Sequence, residues 1–168
     1  MEESISRTDA AGKKDRRTDG EGGNASASLE ECIRSSFALP EKDWEQYTPL
    51  TLAYLGDCVF DMVVRTVLVK RSQVRSGKIH QKASGIVRAV SQARIAEALK
   101  EDLTDEEAAV FRRGRNASPD HNAKNATRRE YLEATGLEAL IGYLYLKGEN
   151  ERLVELIRRG TVKAGCEL

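Results

Sequence analysis

At 168 residues the chain has the size of one domain, and no apolar run approaches the roughly 18 to 20 residues of a bilayer span, so no membrane partner is expected. Its 27 basic and 27 acidic residues cancel, which excludes a globally cationic surface; contact with a polyanion has to come from a local cluster. Cys32, Cys58 and Cys166 are odd in number, lack metal-ligand spacing and follow no secretory signal, so they read as free thiols in a reducing compartment, Cys58 packing as a small hydrophobe.

Residues 1–28 contain no aromatic side chain and are rich in Gly, Ser, Ala and mixed charge. They cannot bury enough apolar surface to offset chain entropy, and a disordered polar tail, dispensable for chemistry, is expected. Glu2, Glu3, Asp9, Asp15, Asp19 and Glu21 make it too acidic for a transit peptide. Residues 29–45 form a short helical or irregular lead-in, with a helix over 29–39 ending before Pro40 and with Trp44 and Tyr47 as anchors, and the main domain covers 46–168. That domain opens with a helix over about 48–70, then a shorter one near 77–84 and another at about 86–100. Thr104 and Glu107 form a capping box for a helix reaching about 115. An Asn- and Ala-rich loop with Pro119 covers 116–126, and helices at about 128–147 and 150–160 complete the chain. Nothing alternates apolar and polar residues long enough for a strand, so the fold class is all-α.

Two of these helices carry an acid within an apolar pattern. Positions 50, 54, 57, 58, 61, 64, 65 and 68 recur at helical spacing, which places Asp57 on a face with Leu50, Tyr54 and Val64, and this face is expected to point inward. Burying a lone carboxylate costs several kcal/mol or neutralises it, so Asp57 needs a partner: a core Arg, a neighbouring helix end, or a metal. Gly56 beside it costs about 1 kcal/mol against Ala in a helix and signals a close backbone approach. Ala134–Leu146 repeats the construction, with Gly136 and Gly142 around Glu138 and with Thr135 on the same turn. Two such acids on separate apolar helices suggest one site between packed helices, where a cation would relieve both. Mg²⁺ suits it, being a hard ion that takes one or two carboxylates and keeps several waters.

Charge is uneven along the chain. Arg112, Arg113, Arg115, Lys124, Arg128 and Arg129 face a single acid, Asp120, within 112–129, while acids gather in 97–107 and in the last helix. Such a cluster would attract a polyanion over a Debye length of about 8 to 10 Å; its alternative is a solvated loop whose arginines contact helix ends. Tyr131, Tyr143 and Tyr145 are expected in the core or an interface between copies rather than as base-stacking platforms.

The ordered set Tyr54-Leu-Gly-Asp57, Ile79-His-Gln-Lys-Ala-Ser84, Val90-Ser-Gln-Ala-Arg94, Glu106–Ala117, Lys124-Asn125 and Leu137-Glu-Ala-Leu-Ile-Gly142 resembles the ribonuclease III endonuclease domain over residues 46–160. More narrowly it is similar to the Mini-ribonuclease III family, which has that domain without a double-stranded-RNA-binding domain. The resemblance implies a homodimeric endoribonuclease that cuts double-stranded RNA with Mg²⁺, one or two ions per site, leaving 5′-phosphate ends. It implies Asp57 and Glu138 as catalytic and metal-binding residues, and precursor 23S (large-subunit) ribosomal RNA as substrate, with a ribosomal protein as possible helper in a bacterial cytoplasm. Lys82, Arg112, Arg113, Arg115, Asn116, Lys124 and Asn125 are the candidate RNA contacts, read mainly against phosphates and 2′-hydroxyls. Asp61, His80 and Thr135 are candidates for an outer shell around the acids, although a lone helical His more often packs and a residue placed like Asp61 is more often simply solvated or salt-bridged. Full-length ribonuclease III enzymes carry two further acids, at positions that here hold Ala53 and Thr135; the Mini branch tends to lack them too, which leaves the metal count open. Two other classes remain: a non-catalytic RNA-binding relative acting in ribosome assembly, and a helical module binding an acidic protein. Retention of both signature acids argues against each.

Overall fold

The computed structural model describes residues 27–71, 76–117, 126–166 and 168. Helix α1 covers Leu29–Ser36, followed by a 3-10 turn at Trp44–Gln46; α2 runs Pro49–Arg71, α3 Ser76–Val87, α4 Ala89–Leu99, α5 Asp105–Arg115, α6 Arg128–Leu146 and α7 Asn150–Lys163. Every regular element among the described residues is a helix, as the periodicity predicts. The expected polar tail, apart from Ala27 and Ser28, and residues 118–125 of the expected loop lie outside the described residues.

Reciprocal capping decides where three helices begin. Thr104 and Glu107 close the box foreseen for α5, and Ser28 with Glu31 and Thr127 with Glu130 do the same for α1 and α6. Glu107 also ties two helices together, because its carboxylate accepts from Arg152 Nε at 2.8 Å and Nη2 at 2.9 Å, and Arg152 in turn donates to the Asp102 carbonyl at 2.7 Å. That bidentate pair fastens the start of α5 to α7. Beyond α6, Gly148 takes φ 77°, a conformation that stops the helix and turns the chain toward α7.

Helix α6 is the central element. It is buried around its circumference from Glu133 to Leu144 except at Glu138, and packs against α2, α4, α5 and α7. The lead-in is anchored as expected: the Trp44 ring meets Tyr143 edge-on with centroids 4.7 Å apart, and Tyr47 packs against the core. Tyr143 is buried, and Tyr131 and Tyr145 are half-buried.

One expectation is overturned. The inward stripe of α2 is Leu52, Ala53, Gly56, Val59, Phe60, Val64 and Leu68, whereas Leu50 is 39% and Tyr54 79% exposed. Asp57 and Cys58 are exposed as well, so Cys58 does not pack as a core hydrophobe. The cause is that α2 is apolar on two sides, and spacing alone does not say which side meets the core.

Candidate active site

Main-chain contact brings the two acids together. A Cβ added to Gly56 would overlap the carbonyl oxygen of Glu138, and one added to Gly142 would overlap the carbonyl oxygen of Leu52. Only glycine at both places lets α2 and α6 cross with their backbones touching. Asp57, next to Gly56, and Glu138, whose carbonyl lies against it, therefore emerge at one spot on the crossing.

Their electrostatics record that proximity. Burial, and then the charge of Asp57, push the Glu138 carboxyl up to about 8. Partial desolvation also raises Asp57, although the residue as a whole is solvent-exposed, and Asp61 adds to the rise. In each case the amide of Gln92 works in the opposite direction, favouring the ionised carboxylate.

Gln92 comes from a third helix, α4. It is 1% exposed, and neither Nε2 nor Oε1 makes a hydrogen bond of ordinary geometry. Leaving one buried polar group unpartnered costs roughly 1 to 3 kcal/mol, so an amide with both ends open beside two like-charged acids marks a place where something polar binds. The sequence held the signal: Gln92, Ile95, Ala96 and Leu99 form the i, i+3, i+4, i+7 stripe of α4, and the amide is the single polar side chain in that stripe.

The donor set fits a hard divalent cation. Two carboxylates and an open amide converge from three helices, all supplying oxygen, and the raised carboxyls would be relieved by positive charge between them. Among the described residues no group of three His, Cys, Asp or Glu stands together to hold a metal, so Asp57 and Glu138 have no third acid. Ala53 is buried in the core. Thr135 is buried and its hydroxyl donates to the Tyr131 carbonyl of its own helix at 3.0 Å rather than to either carboxylate. Asp61 accepts from Arg65 Nε at 2.7 Å while still acting on Asp57.

The basic candidates divide by environment. Arg112 is exposed on the last turn of α5, Arg113 stands 5.7 Å from the Trp44 ring centroid, and Arg115 Nη1 lies 3.5 Å from Glu133 Oε1. Asn116 caps α5 and is exposed. His80 and Lys82 are exposed on α3; Lys82 lines a 600 Å³ groove with Val63, Val67, Ile157 and Arg158, which includes neither acid. Lys124 and Asn125 lie outside the described residues.

The family model described as Ribonuclease III domain matches residues 50–149, from the start of α2 to the turn before α7, and so takes in both helices of the crossing. The fold is thus that of a ribonuclease III-type endoribonuclease. A protein of Symbiobacterium thermophilum named Mini-ribonuclease 3 is 47% identical over 66% of this chain and 85% of its own length, and its namesake in Enterococcus faecalis is 40% identical over 74% and 96%. A Fusobacterium nucleatum protein of known crystal structure superposes with a TM-score of 0.64 at 29% identity, covering 70% of this chain and 94% of that one. The chain belongs to the Mini-ribonuclease 3 family.

Proposed function

We propose that this endoribonuclease cleaves double-stranded RNA with Mg²⁺ bound at Asp57 and Glu138, working as a homodimer in a bacterial cytoplasm to mature the ends of precursor 23S ribosomal RNA, with a ribosomal protein as possible helper. The observation that carries the metal assignment is the pair of carboxyls, both raised, that the Gly56–Gly142 crossing forces together. Two neighbouring carboxyls, both raised and with no basic partner among the described residues, favour a site whose third component is a cation.

Mg²⁺ would supply Lewis acidity toward the scissile phosphate and a water of lowered pKa. Asp57, at the solvent side of the crossing, and the more deeply buried Glu138 would hold that ion, and the Asp57 carboxylate would orient the attacking water. Gly56 and Gly142 keep the two acids at one separation through turnover. Arg112 and Asn116 on α5 meet the phosphates of the duplex; water adds to phosphorus as the bond to the 3′ oxygen breaks and that oxygen takes up a proton, which leaves 5′-phosphate and 3′-hydroxyl ends. Support for a second copy comes from the outer stripe of α2, where Leu50, Tyr54, Cys58, Met62 and Val69 are exposed at helical spacing. An isologous contact along it would pair two sites, one for each strand.

The test is cleavage of a labelled RNA duplex with Mg²⁺ and with chelator, by the intact chain and by Asp57→Asn. Cutting that needs Mg²⁺ and vanishes in the variant is the expected result. A mobility shift without cutting would favour an RNA-binding role in ribosome assembly. For the substrate, the 23S ribosomal RNA ends in cells lacking the protein should carry unprocessed extensions; mature ends would refute that assignment.

A further inference from the structure

We propose that Gln92 is a third protein member of the cation site, its amide oxygen facing the metal or a metal-bound water and its amide nitrogen holding the carboxylates of Asp57 and Glu138, an inference that rests on reading those acids as a metal centre. The placement argues for it. In α4 the stripe at Gln92, Ile95, Ala96 and Leu99 packs inward, and an apolar side chain at its head would serve packing alone. An amide stands there instead, 1% exposed, neither of its polar atoms in a hydrogen bond of ordinary geometry, yet close enough to favour the ionised form of both acids from a helix that neither occupies.

Each end of the amide has one kind of role in that setting. Nε2 is a donor beside acceptor-only carboxylates, which stabilises their ionised forms and fixes their orientation. Oε1 accepts only; both neighbouring groups repel it once ionised, and it is satisfied by a cation or by the O–H of a coordinated water. The site is also short of oxygens: Ala53 is buried, Thr135 turns its hydroxyl to Tyr131, and no third acid joins Asp57 and Glu138 among the described residues. An amide oxygen is a neutral hard donor of the type that completes such a shell.

The experiment measures Mn²⁺ binding to the full-length chain by electron paramagnetic resonance, and the rise in melting temperature on adding Mg²⁺, for wild type, Gln92→Leu, Gln92→Glu and Asp57→Asn. Gln92→Leu should weaken Mn²⁺ about 10- to 100-fold and shrink the Mg²⁺-induced rise, as loss of a supporting group at a metal site does. Gln92→Glu should bind Mn²⁺ roughly tenfold more tightly than wild type, because it adds a charged oxygen at the same place. A folded Gln92→Leu with unchanged Mn²⁺ affinity overturns the proposal; if that variant does not fold, a Gln92→Glu that binds no more tightly than wild type does so instead. Asp57→Asn separates the two levels. Metal binding lost in Asp57→Asn but kept in Gln92→Leu removes Gln92 alone, whereas binding kept in both, or absent from wild type, removes the metal centre itself.

Discussion

Burial and the neighbouring Asp57 push the Glu138 carboxyl up to about 8 from an ordinary 4.5, and this has a sign that stability measurements read. Between those two values the folded chain holds a proton that the unfolded chain has released, so metal-free stability falls as pH rises through that window and the loss is complete above it. Glu138→Gln does not titrate. With chelator present, its advantage over wild type should therefore grow from about pH 5 to about pH 8, on the order of a few kcal/mol, in urea unfolding curves taken across that range. A constant difference would show that Glu138 is not desolvated. Asp57→Asn should abolish cleavage with the fold intact and lower the Glu138 carboxyl toward its usual range, which carboxyl chemical shifts would report. Both acids are visible in the sequence because a charge inside an apolar run is conspicuous. Gln92 is harder to see, since a neutral amide disturbs a hydrophobic pattern little and only its environment, two acids from other helices, gives it meaning.

At the scale of helices, the α2–α6 crossing and the end of α5 each make a claim. Gly56→Ala or Gly142→Ala sets a methyl against main-chain carbonyl rather than against a side chain that can swing away. Each should cost about 3 kcal/mol or more, the upper end for overpacking, and lower cleavage of RNA beyond the loss of folded protein. Thermal melts beside activity per folded molecule test this; a neutral substitution at either glycine would refute the tight crossing. On α5, Arg112→Ala should reduce the slope of log affinity for duplex RNA against log salt by about 0.7 to 0.9, one phosphate contact, while Arg115→Ala should reduce it less because Glu133 already neutralises that guanidinium. Equal effects would contradict the division. Spacing located these elements well: α2 and α6 begin and end within a residue or so of the expected limits, and the Thr104 box is present. On α2 it was right about Val64 and Leu68 but wrong about Leu50, Tyr54 and Asp57, because a helix with apolar stripes at Leu52–Gly56–Phe60 and at Leu50–Tyr54–Met62 has two candidate inward faces, and the choice depends on which one α6 covers.

For the molecule as a whole, the exposed stripe of α2 is where the proposed homodimer is tested. Tyr54→Arg combined with Met62→Arg places two cations where a second copy would pack, at residues exposed in the single chain, so the fold should survive. Sedimentation velocity should then show a monomer where wild type is a dimer, together with the loss of paired cuts in a duplex. A wild-type monomer that cleaves both strands would overturn the homodimer. The all-α architecture was legible because nothing in the chain alternates at a period of two, whereas the exposed stripe of α2 was not, because the sequence describes it only as apolar.

The main-chain contact at Gly56 and Gly142 carries an evolutionary corollary. Where carboxylate spacing depends on interlocking side chains, each substitution in the interior shifts it and has to be compensated nearby. Here the spacing is set where two backbones meet, so neighbours such as Leu52, Phe60 and Leu140 can drift in size and shape without detuning the chemistry. A lineage can therefore change much of this interior and still hold the two acids in place, so long as it keeps two hydrogen atoms where two methyl groups would otherwise stand.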